Sequence, residues 1–243
     1  MLVKNWMSKP VITVDINDSM QKAISAFSEN NINMIPVLDR GNLVGVITER
    51  DVLKEGRLIG VITESDLKKA TTSGKTSINV NELIYLAATR IKLEGLVTRD
   101  PITVAEDLTV EETAEILLAK KISGVPVVNA QGALVGVITQ HDLFRSLISL
   151  TGLRKRGIQL ALRLKDKPGA IKEITDIIRN YGCRMSSILS SYERAPSGFR
   201  NVYIRFFQID RKKLPLLQKE IEEKTKILYI VDHRENKREL YSV

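Results

Sequence analysis

One cysteine, two histidines and one tryptophan are all that this chain of 243 residues contains of those types. Cys183 therefore has no partner for an internal disulfide, and one thiol with two imidazoles makes a poor ligand set for a transition metal. No metal site is expected. Long apolar runs are missing too. Stretches such as 83–88 fall far short of the roughly 20 residues a bilayer requires, and the first ten residues hold no signal-peptide core. These absences predict a cytoplasmic protein without a membrane segment. No Gly-x-x-x-x-Gly-Lys-Ser/Thr loop occurs, and no nucleophile, base and orienting acid stand at a recognisable spacing, so no enzyme activity is expected. What is present, 43% hydrophobic and 27% charged residues, is the balance of a globular chain long enough for two or three domains.

Charge divides the chain. Residues 1–150 carry 16 Lys and Arg against 18 Asp and Glu, a net of −2, whereas residues 151–243 carry 21 against 11, a net of +10. The last third thus reads as a separate domain that either presents a solvated basic surface or meets something acidic, such as RNA, a phosphorylated ligand or an acidic partner.

The first part repeats itself. Pro10-Val-Ile-Thr-Val14 returns as Asp100-Pro-Ile-Thr-Val104, and Ile35-Pro-Val37 returns as Val125-Pro-Val127, both at an offset of 90. Leu43-Val-Gly-Val-Ile-Thr48 returns one residue later in register as Leu134-Val-Gly-Val-Ile-Thr139. Each copy reads as strand, helix, strand, strand, helix, with Ser19 or Thr109 opening the first helix and Thr-x-x-Asp the second. Neither small sheet covers itself, so the copies are expected to pack together. Within the first, residues 41–55 are followed at once by 56–70, identical at nine of fifteen positions. Only one of these can fill the slot of the last strand. The spacing from Pro36 favours 43–47, but 58–62 has a competing claim, because 52–53, a Lys-Glu-Gly turn and the run from 58 could form a hairpin of their own. A polar linker and a connecting helix are expected over 71–92.

From Ile158 the pattern changes to a βαββαβ order, which describes a ferredoxin-like fold. The turn Asp166-Lys-Pro-Gly169 joins its first strand to its first helix. Alternation in 199–207 puts Tyr203, Arg205 and Phe207 on one face of a strand, where they could stack bases or meet another sheet.

Thr139-Gln-His-Asp142, with its counterparts Thr48-Glu-Arg-Asp51 and Thr63-Glu-Ser-Asp66, admits two readings. A threonine three residues before an acid at a helix start is a capping box. The same group could also recognise a nucleotide, Asp accepting from ribose hydroxyls while Thr and the helix-start amides face phosphate. The preceding glycine would let another group approach the strand closely.

On these motifs the two copies resemble CBS domains, and the pair resembles the tandem arrangement called a Bateman module: domain 1 over 1–70, domain 2 over 93–152. The resemblance implies two clefts binding an adenine nucleotide or related adenosyl effector, AMP, ATP or S-adenosylmethionine. Carried over by position, Thr139 and Asp142 would contact phosphate and ribose, with Ile102 and Thr103 bordering the adenine, while His141 could touch a nucleotide phosphate or be a surface residue at the helix start. Ile12 and Thr13 would serve the first unit, with Thr48 and Asp51 or else Thr63 and Asp66. Residues 155–243 resemble an ACT domain, which implies a ligand loop of Asp166, Pro168, Gly169 and Ala170 with Asn180 and Gly182, an amino acid as ligand, and a homodimer. Two CBS units followed by ACT is also the order in acetoin-utilisation proteins. The expected fold class is therefore α/β and α+β, and the expected role is a non-catalytic regulator of an unidentified enzyme or protein. Nucleic acid is not the expected partner. A structural dimer scaffold with vacant clefts, or an RNA-binding domain joined to a CBS sensor, stands as the alternative.

Overall fold

A computed structural model describes residues 1–52 and 89–241, which fall into two compact units, Met1–Leu143 and Phe144–Val243. The repeat 56–70 and most of the expected connecting helix lie outside the described residues.

In the first unit each repeat builds one small sheet. Strands β1 (Val14–Asp15), β2 (Met34–Asp39), β3 (Asn42–Thr48) and β4 (Thr98–Arg99) lie in that order, β1 parallel to β2 and the others antiparallel. β5 (Val104–Ala105), β6 (Gly124–Val128) and β7 (Leu134–Thr139) repeat the arrangement. Residues 43–47, the first of the duplicated segments, therefore hold the last strand position of the first repeat. Helices α1 (Met20–Asn30) and α2 (Val110–Lys120) open at Ser19 and Thr109, whose side chains each accept from an amide of the first turn. Both helices end on a left-handed residue, Asn31 and Lys121. The cores match position for position: Ile35, Val37 and Ile47 in the first, Val125, Val127 and Ile138 in the second. The one-residue change of offset comes from the hairpins. Arg40 and Gly41, both at positive φ, make a two-residue loop, whereas the second repeat turns through a longer loop with Gly132 at positive φ.

Sequence order and spatial order differ at the starts of the repeats. The chain's first residues join the second repeat: Val3 lies in its core with Trp6 and Met7 packed on it, and Ser8 bridges Val137 of β7. The segment before the second repeat joins the first: Leu93 is fully buried in its core, and Arg99 pairs with Gly45 of β3. This exchange explains the glycine of Gly-Val-Ile-Thr. A Cβ on Gly45 would stand 2.1 Å from Val97 Cγ1, and one on Gly136 would stand 2.2 Å from Met7 Sδ. The close approach expected at these glycines is made by the crossed-over chain, not by a ligand.

The second unit contains β8 (Ile158–Lys165), α4 (Ala170–Asn180), β9 (Arg184–Ser191), β10 (Phe199–Phe207), α5 (Leu214–Glu222), β11 (Lys226–Asp232) and β12 (Lys237–Leu240). The helix preceding it, α3 (Gln140–Leu150), begins in the first unit. The sheet runs β12-β11-β8-β10-β9, antiparallel throughout, and gives βαββαβ with one extra edge strand. Alternation drives its core: Leu160, Leu162 and Leu164 of β8 and Val202, Ile204 and Phe206 of β10 pack with Ile174, Ile178, Leu217 and Ile221 of the helices.

Candidate functional site

The Thr-x-x-Asp motif is a helix cap in both repeats. Asp51 Oδ2 accepts from Thr48 N at 2.9 Å and from Thr48 Oγ1 at 2.6 Å, while Asp51 N reaches back to Thr48 Oγ1 at 3.4 Å. Asp142 Oδ2 accepts from Thr139 N at 3.0 Å and Thr139 Oγ1 at 2.9 Å. At Asp51 the cap does not preclude a ligand, since a carboxylate offers about four acceptor positions and these bonds use two. The two acids differ in access: Asp142 is 3% exposed and Asp51 is half-buried.

A cleft of about 630 Å³ lies between the repeats. One wall carries Met34, Val46, Thr48, Arg50 and Asp51. Another carries Asp100, Pro101 and Ile102, and the turn Lys121-Ile-Ser123 closes it. Apolar Met34, Val46 and Ile102 thus share a cavity with the capped Asp51 carboxylate, the further acids Glu49 and Asp100, and one cation from each repeat, Arg50 and Lys121. That combination suits a flat ring bearing a polyhydroxylated, anionic tail.

The chain crossing corrects the expected grouping. Ile102 shares its cleft with Thr48 and Asp51, not with Thr139 and Asp142, because β4 is donated to β3. Thr103 beside it is exposed and does not line this cleft. Ile12 and Thr13, both half-buried, end the segment anchored at Ser8 to β7, the strand that leads to Thr139. His141 is exposed at the start of α3, and Gln140 of the same turn reaches the cleft. Thr63 and Asp66 lie outside the described residues. The cleft residues that sequence reasoning missed include Met34, Val46, Arg50, Asp100 and Lys121. Positive φ values at Asp100 and Lys121 place both on sharp turns, and nothing in the local sequence announces them.

In the second unit the expected ligand loop is not one cluster. Asp166, Pro168, Gly169 and Ala170 stand at the start of α4, with Gly169 at φ 83°, while Asn180 and Gly182 stand at its other end. An eleven-residue helix, about 16 Å long, separates them. Asp166 is held by Tyr192 and Arg200. The aromatic face of β10 is engaged internally. Arg205, 4% exposed, donates through Nε to Thr151 O at 2.8 Å and through Nη2 to Gln159 Oε1 at 2.7 Å. Burial lowers its pKa, with Tyr229 acting the other way. Lys155 sits 5.9 Å over the Phe207 ring, and Tyr203 tilts against Tyr229. Spent in this way, Arg205 is not available to stack a base. Among the described residues no helix is long and apolar enough to cross a membrane, and no three His, Cys, Asp or Glu gather as a metal site.

Comparison with known proteins places the first 150 residues among relatives. The profile of the CBS domain matches residues 3–55 and 93–149. The uncharacterized protein MJ1426 of Methanocaldococcus jannaschii is 32% identical over 155 residues, covering 61% of this chain and 92% of its own. The CBS domain pair of protein MJ0100, solved in complex with 5′-methylthioadenosine and S-adenosyl-L-methionine, is 32% identical over 60% of this chain and 95% of its own, with a TM-score of 0.45. CBSX2 of Arabidopsis thaliana, solved in complex with AMP, is 23% identical over 60% of this chain and 96% of its own, with a TM-score of 0.45. With two copies matched by the CBS profile and a relative 32% identical and covered almost throughout, the chain belongs to the CBS domain family as a tandem pair.

Proposed function

We propose that the chain is a non-catalytic regulator whose CBS pair binds an adenosyl effector, AMP, ATP or S-adenosylmethionine, in the cleft between the repeats. The observation that carries this reading is the meeting of Asp51, Thr48 and Ile102 in one cavity of about 630 Å³. Asp51 accepts from the ribose hydroxyls, Met34, Val46 and Ile102 take the base, and the cations of the rim meet the tail. Thr139, Asp142, Ile12 and Thr13 form the second, related site. The likeness to the MJ0100 pair, a protein solved with two adenosyl compounds, supports the ligand class. The last domain, by its βαββαβ order and its Asp166–Gly169 turn, acts as an ACT-type module for a second small ligand or for dimerisation in a cytoplasmic homodimer. Its domain order ties the protein to acetoin utilisation.

Regulation follows from linkage. An effector that prefers one arrangement of the two repeats stabilises it, and that arrangement engages or releases the regulated partner. Isothermal titration with AMP, ATP and S-adenosylmethionine tests the reading. Asp51→Ala is expected to weaken the bound compound by about 1–3 kcal/mol, the scale of lost hydrogen bonds to a charged group. Absence of binding by all three compounds, or equal affinity in the variant, defeats it.

A further inference from the structure

A second cavity, of about 480 Å³, opens where the end of β8, the first turn of α4 and the starts of β10 and β11 come together. Five of its lining residues are basic, Arg163, Lys165, Lys167, Lys224 and Lys226, and one, Glu173, is acidic. Leu164, Ala170 and Ile174, all buried, form its apolar side. Cations gathered around one cavity repel each other, and Glu173 can offset only one of them. Arg163 adds a local deficit, because its Nε is buried and meets no hydrogen-bond acceptor among the described residues.

We propose that this cavity binds a small polyanion of the phosphate-ester class. A zwitterionic amino acid brings no net charge and would leave the excess of lysines uncompensated. Lysine ammonium groups on flexible stems suit phosphate oxygens as point charges. Amides in the first turn of α4, whose cap Gly169 has no side chain to satisfy them, add to the same field. The apolar side accepts a short carbon skeleton. This inference rests on the reading of the last domain as a ligand-binding module and assigns the chemical class of its ligand.

The test is titration of the full chain with sodium pyrophosphate, in parallel with citrate, glycine and a short single-stranded RNA. Pyrophosphate is expected to bind and to weaken as salt rises. Lys165→Ala/Lys226→Ala should lower its affinity at least about tenfold while leaving AMP binding by the CBS pair unchanged and the melting temperature no lower, since both lysines are exposed and their removal relieves like-charge repulsion. Citrate binding as tightly as pyrophosphate overturns the phosphate assignment. So does pyrophosphate binding that the double variant leaves intact, or RNA binding without saturable pyrophosphate binding. Glycine binding without pyrophosphate overturns the proposal and leaves the sensor reading standing, whereas silence from both ligands removes both. Loss of AMP binding in the parent bears on the cleft alone.

Discussion

The two CBS repeats share a backbone and differ in the chemistry placed on it. Both α1 and α2 are eleven residues long, begin on a hydroxyl cap and end on a left-handed residue. The second repeat completes its cap with Glu112, whose Oε2 accepts from Thr109 N at 2.9 Å and Thr109 Oγ1 at 2.7 Å. The first has Lys22 at that position and pairs it instead with Asp18, at 2.8 Å. At the second motif Arg50 corresponds to His141, and half-buried Asp51 to buried Asp142. Buried positions were held to one pattern by packing, while exposed ends diverged because surface charges are energetically cheap to exchange.

The comparison breaks most severely in the cores, if it breaks at all. Ile47 and Ile138 occupy equivalent strand positions and are both fully buried. Ile47→Ala and Ile138→Ala should each destabilise the protein by about 2–5 kcal/mol, with equal losses in urea unfolding. A loss at Ile47 much below that at Ile138 would show that the two cores are not equivalent in strength.

The acids should separate the repeats by less. Asp142→Ala leaves the Thr139 amide without its acceptor at a buried site and is expected to cost about 1–3 kcal/mol. Asp51→Ala removes a similar cap at a wetter site and is expected to cost about 0.5–2 kcal/mol. Thermal melts of both variants rank them, and the reverse order would mean that burial does not set the cost.

The smallest difference appears in acid. Hydrogen bonds from the Thr109 backbone amide and hydroxyl hold the Glu112 carboxyl below its ordinary value. A folded pKa that is depressed gives stability fully present above the unfolded value and lost as pH falls through the folded one. Glu112→Gln should therefore flatten part of the fall in melting temperature between neutral pH and about pH 3. Asp18 is also held low: burial works to raise it, and hydrogen bonds from Lys22 and the Asp15 backbone more than offset that. Asp18→Asn should produce the same flattening for the first repeat, and added salt should weaken the Asp18–Lys22 ion pair more than the box, which pairs a charge with neutral donors. Identical salt responses at the two helix starts would remove the distinction.

Much of the fold was legible in local pattern. Ile35-Pro-Val37 and Val125-Pro-Val127 read as short continuous buried strands, Ser19 and Thr109 mark helix starts, and the apolar spacing after Ile158 follows the βαββαβ order because each signal involves neighbours along the chain. The candidate site was only half legible. Thr48 and Asp51 were found through their motif, yet their companions Met34, Asp100 and Lys121 come from other elements and carry no motif of their own. Asn180 and Gly182 were joined to Asp166 by resemblance although a whole helix lies between them.

By itself the sequence determined the two repeats, their capped helix starts and the charge division at about residue 150, all consequences of local propensity and spacing, while it left 43–47 and 58–62 as rivals for one strand position that the structure gives to 43–47. Tertiary structure alone decided which start belongs to which repeat. Residues 1–9 and 93–99 precede copies so alike that either sheet offers an edge to either segment, and only the packing of Val3 in one core and Leu93 in the other selects the crossed arrangement. Because that choice carries Ile102 to Asp51, the composition of the cleft depends on contacts between residues far apart in the chain, which no local pattern records.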